Sequence, residues 1–280
     1  MKLFNLYQEK ESDEQCITEI SYSNDWLVTV PHSGKLIIDK YKDYIDFNSS
    51  VKLSSDLHTE RLFDLGKGKF LVFNLLRDFL NVSRAKKGIK GNDVPLHLKQ
   101  DPLHPMSLTD KKILLKDYSS EEEKEILEIY DEFHWQVNDL IETVKKENDF
   151  VLILDGHSLS KVGPKNTPDE GKERASFVLG TLDDTSAHPE IIETFYNALK
   201  QSAEEHNWTV KKNSPYKGGF ITQKYTDVDN KINIIQLEVN KSIYMDEETL
   251  KRDYKQLDIV RDIIKNAMNE AFKKAKALYN

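Results

Sequence analysis

The chain has 280 residues, and its 40 Lys and Arg against 48 Asp and Glu give a formal net charge of −8 at pH 7. This acidic balance argues against nonspecific nucleic-acid binding, because neutralising phosphates requires a basic surface. Cys16 is the single cysteine, so an intramolecular disulfide and a cysteine-based zinc site are excluded, and any metal would be held by His and carboxylates.

No run of about 18 apolar residues occurs, and the charged N-terminus lacks the apolar centre of a signal peptide. We therefore expect a cytoplasmic protein. Apolar segments of strand length alternate with segments of helical periodicity, and this pattern predicts an α/β fold with a parallel or mixed sheet. The predicted strands are 26–30, 69–73, 79–82, 150–154 and 233–239.

Two of these strands contain nearly continuous apolar runs, at 151–154 and 234–237, which is typical of strands covered on both faces. The predicted helices span 120–146, 189–206 and 246–278, where apolar residues recur every three or four positions. We expect Ser119 or Ser120 to cap the first helix. The stretches 86–117 and 158–174 contain several Pro and Gly and predict long loops, which in compact domains usually bind ligands. No repeat or composition break divides the chain, so a single domain over 1–280 is expected.

Three groups capable of chemistry lie at the ends of predicted strands, where open α/β sheets place their ligands. These are His32, His157 and Glu238. A single histidine after a strand is more often a surface or hydrogen-bonded residue than a metal ligand. Together, however, two imidazoles and a carboxylate supply the three N/O ligands of a hydrolytic zinc site. Glu60 is an alternative carboxylate ligand, and His58 is an alternative imidazole.

Arg84 follows an apolar run and could bind a carboxylate through its guanidinium, although a surface salt bridge is the commoner role of such a residue. The turn at 213–220 contains two glycines and Tyr216, and it could bring backbone N–H groups close to a ligand or simply connect two strands. Phosphate-binding glycine motifs and the Gly-x-Ser-x-Gly motif are absent from the sequence. Metal-assisted hydrolysis is therefore favoured over nucleophilic Ser or Cys catalysis.

Seven short motifs occur in the order found in the N-formylglutamate amidohydrolase family, which the chain resembles from Trp26 to Leu250. They are Val-Pro-His-Ser-Gly at 30–34, His-Thr-Glu-Arg-Leu-Phe at 58–63, Asn-Val-Ser-Arg at 81–84, Leu-Asp-Gly-His-Ser at 154–158, Phe-Val-Leu-Gly-Thr at 177–181, Ser-Pro-Tyr-Lys-Gly-Gly-Phe at 214–220 and the block 236–246. The resemblance implies kinship with zinc carboxypeptidase and aspartoacylase-type hydrolases. It also implies a three-layer α/β/α fold around a mixed sheet.

The resemblance further implies roles for individual residues. The expected zinc ligands are His32, Glu60 and His157, and the expected general base is Glu238. Arg84 is expected to bind a substrate carboxylate. The residues expected to line the substrate pocket are Tyr216, Gly219 and Asn240, joined by Arg61, which could instead orient Glu60 by an ion pair.

Two departures from the family pattern bear on these roles. Family members more often have Asp-Leu-Asn-Arg where this chain has Asn81, Ser83 and Arg84, and many have Asp in place of Glu60. A carboxylate is kept at the second position, so metal binding is expected to survive. The changes beside Arg84 leave the identity of the substrate open.

The reaction implied by the resemblance is zinc-dependent hydrolysis of N-formyl-L-glutamate to formate and L-glutamate. The expected partner is thus a small acidic N-acyl amino acid, with neither nucleic acid nor membrane involved. Two alternatives remain open: a hydrolase of another small N-acyl amino acid or peptide, and a non-catalytic small-molecule binding protein. Two imidazoles and a carboxylate also suit Fe, Co or Mn.

Overall fold

The structure is a computed structural model that describes residues 1–91, 99–104 and 112–279. Its strands are β1 (Leu3–Asn5), β2 (Lys10–Ser12), β3 (Ile17–Ser21), β4 (Leu27–Val30), β5 (Leu36–Ile38), β6 (Lys69–Phe73), β7 (Val151–Leu159), β8 (Phe177–Gly180), β9 (Val210–Lys212) and β10 (Ile232–Asn240). Its α-helices are α1 (Phe47–Leu53), α2 (Thr59–Leu62), α3 (Ser120–Asn148), α4 (Pro189–Glu204), α5 (Phe220–Tyr225) and α6 (Tyr254–Tyr279). Short 3-10 helices occupy Asp39–Tyr44 and Lys241–Ile243.

The central sheet, within the described residues, contains seven strands in the order β3-β6-β4-β7-β10-β8-β9. Strands β6, β4, β7 and β10 run parallel, whereas β3 pairs antiparallel with β6 and β8 antiparallel with β10. Helices flank this mixed sheet, so the predicted α/β fold is confirmed. A separate small antiparallel sheet joins β2, β1 and β5.

Strands β7 and β10 lie at the middle of the central sheet, as their apolar runs predict. All nine residues of β7 and eight of the nine in β10 are buried. The two strands pair in parallel along their whole length, with Glu238 opposite His157. Two of the predicted site residues are therefore neighbours because of strand register alone.

The long helix α3 begins where its capping signal predicts. The Ser119 hydroxyl accepts a hydrogen bond from the Glu122 backbone N–H, and the Glu122 carboxylate accepts one from the Ser119 backbone N–H. The last predicted helix begins later, at Tyr254 instead of residue 246. There, Asp246 accepts backbone hydrogen bonds in a turn, and Leu250 has a left-handed φ of 59°, which a continuous helix does not allow.

The predicted strand at 79–82 is wrong. Phe79, Leu80 and Val82 are fully buried, as an apolar run requires, but this segment forms turns. The backbone N–H groups of Phe79 and Leu80 both donate to the Leu76 carbonyl, so they are not available for hydrogen bonds to a neighbouring strand. These residues pack in the hydrophobic core without regular secondary structure, because burial alone does not determine whether a short apolar segment pairs with a strand.

The two predicted loops have different outcomes. Within 86–117, residues 92–98 and 105–111 lie outside the described part of the chain. In the second loop, β7 extends to Leu159, and the remainder forms turns that a bidentate ion pair from Arg174 to Asp169 ties together at 2.7 Å. No helix among the described residues is long and apolar enough to cross a membrane.

A buried histidine on α3 links stability to pH. His134 Nε2 lies 3.1 Å from the Val82 carbonyl oxygen and must donate to it, so Nδ1 accepts from the Tyr225 hydroxyl at 2.6 Å. Burial, assisted by the positive charge of Lys224, lowers the pKa of His134 to about 3. The ring therefore stays neutral in the folded protein near pH 6.5, where the same histidine in the unfolded chain takes up a proton.

Because the unfolded histidine protonates near pH 6.5, the folded protein loses stability as the pH falls below that value. Between pH 6.5 and 5 we expect His134 to contribute a loss of about 1.5 kcal/mol in the free energy of unfolding. Urea unfolding of the wild type and of His134→Gln at both pH values measures this contribution as the difference between their pH slopes. Equal slopes would show that His134 is not the titrating group.

Candidate active site

Three buried side chains, His32, Asp56 and His157, come together beside the carboxyl ends of β4 and β7. One ligand atom from each lies within 4.8 Å of the other two. The Asp56 Oδ2 atom is 3.5 Å from His32 Nδ1 and 3.3 Å from His157 Nδ1, and the two imidazole centroids are 4.8 Å apart. Two imidazole nitrogens and a carboxylate oxygen facing one point are the donor set of a hydrolytic metal site.

Each member is held by a different local structure. His32 follows β4 after Pro31, whose fixed φ ends the strand, and His157 belongs to β7 itself. Asp56 lies in the turn that precedes α2, and its backbone N–H donates to the His32 carbonyl at 3.0 Å. This backbone hydrogen bond fastens the two ligand-carrying loops to each other.

The outward-facing nitrogen of each histidine also has a partner. His32 Nε2 donates to Asn81 Oδ1 at 2.9 Å, and His157 Nε2 donates to Asp155 Oδ2 at 3.1 Å. The Thr29 hydroxyl in turn donates to Asp155 Oδ1 at 2.8 Å. Such partners fix the ring orientation, as they do for histidines that bind a metal ion.

His32 Nδ1 is a buried atom without a hydrogen-bond partner in the described chain. Native proteins rarely leave a buried polar atom unpaired, and this nitrogen could bind a metal ion. Burial and the nearby charge of Arg77 lower the pKa of His32 to about 3, so its ring is neutral. Burial acts to raise the pKa of Asp56, but contacts with His157 and His32 hold it well below its usual value. A neutral imidazole and an ionised carboxylate are the forms that bind metal.

Asp56, and not the expected Glu60, completes this group. His58 has a left-handed φ of 68°, and the chain turns there into α2 and carries Glu60 elsewhere. Glu60 Oε1 lies 3.4 Å from Lys35 Nζ, and Glu60 lines a different cavity from the one that His32, Asp56 and His157 line. Sequence reasoning missed Asp56, although it stands in the same short segment, because nothing local distinguishes the two carboxylates.

The three side chains open onto a cavity of about 350 Å³, which is large enough for a small ligand. Its walls include five further residues predicted from the sequence or adjoining a predicted one: Ser83, Arg84, Tyr216, Gly219 and Glu238. Four basic side chains that the sequence did not single out also line it: Lys52, Arg77, Arg174 and Lys241. The loop from Ser160 to Arg174 forms one wall, so the second predicted loop lies where a ligand would bind.

Glu238 lies on β10 directly opposite His157 and is only 7% exposed. Its Oε1 accepts a hydrogen bond from Gln236 Nε2 at 3.0 Å. Burial raises the pKa of Glu238 to about 7, while its neighbour His157 acts in the opposite direction. A carboxylate whose pKa lies near neutrality is suited to accept a proton and to return it.

Three cations line the cavity and form no ion pair among the described residues; two of them are buried, and Arg77 is half-buried. Arg84, Arg77 and Lys241 each donate one hydrogen bond to a backbone carbonyl, over 2.7 to 3.0 Å. The Nε atoms of both arginines are buried and have no partner. Burial, together with the nearby Arg77, lowers the pKa of Arg84 to about 9, which still leaves it charged at neutral pH. These groups make the cavity positive inside an acidic protein.

Arg174 and Tyr216 are engaged with each other. Arg174 forms its bidentate ion pair with Asp169 and also donates to the Tyr216 hydroxyl at 3.1 Å. The guanidinium lies 5.4 Å from the centre of the Tyr216 ring. This cluster shapes the cavity wall, and its positive charge is already neutralised by Asp169.

The remaining predicted pocket residues differ in their placement. Gly219 lines the cavity, but its backbone N–H donates to Gln236 Oε1 at 2.6 Å and so fixes the side chain that contacts Glu238. Asn240 is absent from the wall; its amide donates at 3.2 Å to two carbonyls at the end of the 158–174 loop. Arg61 lies on α2 and lines the same separate cavity as Glu60. Asn240 and Arg61 therefore do not line the cavity at His32, Asp56 and His157, and their roles in substrate binding stay predictions.

Comparisons with known proteins point to one family. Residues 24–245 match the family described as N-formylglutamate amidohydrolase. An N-formylglutamate deformylase of Pseudomonas putida is 26% identical over 229 residues, covering 79% of this chain and 82% of that protein. The deformylase of Pseudomonas aeruginosa is 25% identical over 234 residues, with the same coverage.

Solved structures show the same fold. The crystal structure of an N-formylglutamate amidohydrolase from Ralstonia eutropha superposes with a TM-score of 0.73 at 20% identity, covering 93% of this chain and 97% of that one. A gene product of Agrobacterium tumefaciens gives a TM-score of 0.62 at 16% identity, covering 93% and 96% of the two chains. At 20% and 16% identity, the structural likeness shows a shared fold and nothing more specific.

Proposed function

This chain belongs to the N-formylglutamate amidohydrolase family, and on that premise we propose that it is a metal-dependent deformylase. Its substrate is N-formyl-L-glutamate or a closely similar N-acyl acidic amino acid, which it hydrolyses to formate and L-glutamate. The observation that carries this proposal is the buried His32, Asp56 and His157 group beside Glu238 in a cationic cavity. We assign residues 1–280 to a single catalytic domain.

The residues that would hold the metal are His32, Asp56 and His157, and zinc is the ion that suits this donor set best. When bound, a divalent metal supplies Lewis-acid polarisation of the formyl oxygen and lowers the pKa of a water molecule. Asn81 and Asp155 keep the two imidazoles in the tautomer that binds metal. Asn81 therefore has a positioning role even though the family more often has Asp there.

Glu238 acts as the proton carrier of the reaction. Its carboxylate takes a proton from the attacking water as the new C–O bond forms at the formyl carbon. The same carboxyl group then gives this proton to the nitrogen as the C–N bond breaks, which releases the amino group of L-glutamate. Gln236 holds the carboxylate in place through the 3.0 Å hydrogen bond, and Gln236 is itself held by Gly219.

Buried positive charge explains how a chain of net charge −8 binds a doubly anionic substrate. Long-range repulsion is overcome locally, because Arg84, Arg77 and Lys241 meet the substrate carboxylates in a buried cavity where charge interactions are stronger than in water. The unpartnered Nε atoms of the two arginines are the available donors.

Arg84→Gln is expected to reduce kcat/KM for N-formyl-L-glutamate by about 10- to 100-fold, mainly through KM, because one charge-assisted contact to the substrate is lost. Lys52→Gln is the matched control: Lys52 is exposed at the rim of the same cavity, and its loss should change kcat/KM less than about threefold. Steady-state kinetics of the two variants measures both effects. An Arg84→Gln enzyme with unchanged KM would remove Arg84 from substrate binding.

The decisive experiment measures formate release from N-formyl-L-glutamate by the purified protein, before and after metal removal with a chelator and after return of zinc. We expect one zinc per chain, turnover that is lost with the chelator, and recovery with zinc. N-acetyl- and N-succinyl-L-glutamate and N-formyl-L-leucine, assayed in parallel, define the acyl group and the need for a second carboxylate. Faster turnover of one of these would establish a different N-acyl hydrolase, whereas binding without any turnover would establish a binding protein.

A further inference from the structure

A second and larger cavity, of about 770 Å³, lies beside the metal centre. It is lined by the N-terminal segment around Tyr7, by Ser33 to Lys35, by His58 to Arg61 and by Leu250 to Tyr254. His157, Glu238 and Arg84, which line the first cavity, do not line it. Its volume suits a small-molecule ligand, and the reaction described above makes no use of it.

Two buried acceptors belong to the wall of this cavity. His58 is 5% exposed, and its Nε2 lies 3.1 Å from the Leu250 carbonyl oxygen, to which it must donate. The neutral ring therefore has a lone pair at Nδ1, and no described residue donates to it. Glu60 Oε1 faces Lys35, but Glu60 Oε2 is likewise buried without a donor. Buried acceptors of this kind need a donor, and an ammonium group supplies three N–H donors.

Three basic side chains line the same cavity and form no ion pair within the described residues. These are Arg61, Lys251 and Arg252, of which Arg252 donates to the Tyr254 hydroxyl at 2.7 Å. The whole lining contains four basic and three acidic side chains, an excess of one positive charge in a chain whose net charge is −8. This excess favours a ligand with a net negative charge.

We propose that this second cavity is a binding site for a free acidic amino acid. The ammonium group of the ligand lies toward Glu60 and His58, and its two carboxylates lie toward Arg61, Lys251 and Arg252. With one positive and two negative charges, the ligand complements the single excess positive charge of the cavity. A substrate with a blocked amino group lacks the ammonium, so this site is distinct in chemistry from the catalytic cavity.

The position of the cavity connects it to the metal centre. Ser33 follows the candidate ligand His32, and His58 stands two residues after Asp56. The backbone hydrogen bond from Asp56 to His32 ties these two segments together at 3.0 Å. A bound amino acid therefore contacts both segments that carry the loop-borne metal ligands.

Isothermal titration of the metal-loaded protein with L-glutamate tests the proposal. Glutarate, which has both carboxylates but no ammonium group, is the matched probe. We expect L-glutamate to bind the second cavity at least tenfold more tightly than glutarate does. The double variant Lys251→Gln/Arg252→Gln is expected to weaken that L-glutamate site at least tenfold, and Lys255→Gln, an exposed lysine outside the cavity lining, to leave it unchanged.

L-glutamate is also the product of the proposed reaction, so an Arg84→Gln background separates the two cavities. The second site should persist in that background and be weakened by Glu60→Gln, which keeps the size of the side chain but removes the charge that the ammonium requires. Loss of all L-glutamate binding in Arg84→Gln, or equal affinity in the wild type and the Lys251→Gln/Arg252→Gln variant, would overturn the proposal. Absence of deformylase activity would not, since this site is detected by binding alone.

Discussion

Asp56→Ala is expected to reduce bound zinc from one per chain to nearly none, and to remove hydrolytic activity with it. The substitution leaves two imidazoles and no carboxylate at the metal centre, and we expect zinc affinity to fall by more than about 100-fold, since even partners beyond the direct ligands change affinity by 10- to 100-fold. Metal analysis of protein purified in zinc-containing buffer, followed by a zinc titration of the apoprotein, measures the change.

Glu60→Gln is the matched control for this prediction, since it removes the other carboxylate of the same segment. Glu60 lies beside Lys35 in the second cavity, so its loss should leave zinc content at one per chain and turnover within about twofold in the absence of added amino acids. The reverse outcome, with zinc kept in Asp56→Ala and lost in Glu60→Gln, would reinstate the ligand set that the sequence predicted.

Glu238→Gln is expected to lower kcat by about 10²- to 10⁴-fold with metal content and KM nearly unchanged. The amide keeps a carbonyl oxygen to accept the hydrogen bond from Gln236, so the strand and the cavity keep their shape. What is lost is the ability to take up and return a proton. Steady-state kinetics with metal analysis on the same preparation separates this loss from a loss of zinc.

Glu247→Gln serves as the control, because Glu247 lines the same cavity but contacts the backbone of Lys161 at its rim. We expect its kcat to stay within about threefold of the wild type. A Glu238→Gln enzyme with wild-type kcat would reject Glu238 as the proton carrier. It would leave the metal site itself untouched.

The departure from the family pattern at Asn81 has a structural explanation. Its amide oxygen accepts from His32 Nε2 and also from the Ser83 backbone N–H, so one side chain both orients a metal ligand and shapes the turn that leads to Arg84. A carboxylate at this position would do the same with more charge. The replacement by Asn therefore keeps both hydrogen bonds and changes the charge next to His32.

The sequence by itself determined the features that depend on local pattern. Continuous apolar runs placed β7 and β10 at the middle of the sheet, three- and four-residue periodicity located α3 and α4, and Ser119 marked the start of α3. Histidines at strand ends then predicted the position of the site, because parallel strands present their carboxyl ends at one edge. The short motifs indicated the family because each of them is contiguous in the chain and can be read without the structure.

Only the tertiary structure decided which of several similar side chains face one another. Asp56 and Glu60 stand in one segment, and the left-handed turn at His58 sends the first to the histidines and the second, with Arg61, to another cavity. Arg77 and Lys241 were not predicted as site residues, and only folding places them in the cavity that Arg84 lines. Periodicity and motif report on burial and local geometry, whereas the direction of a side chain after a turn depends on contacts between segments distant in the chain.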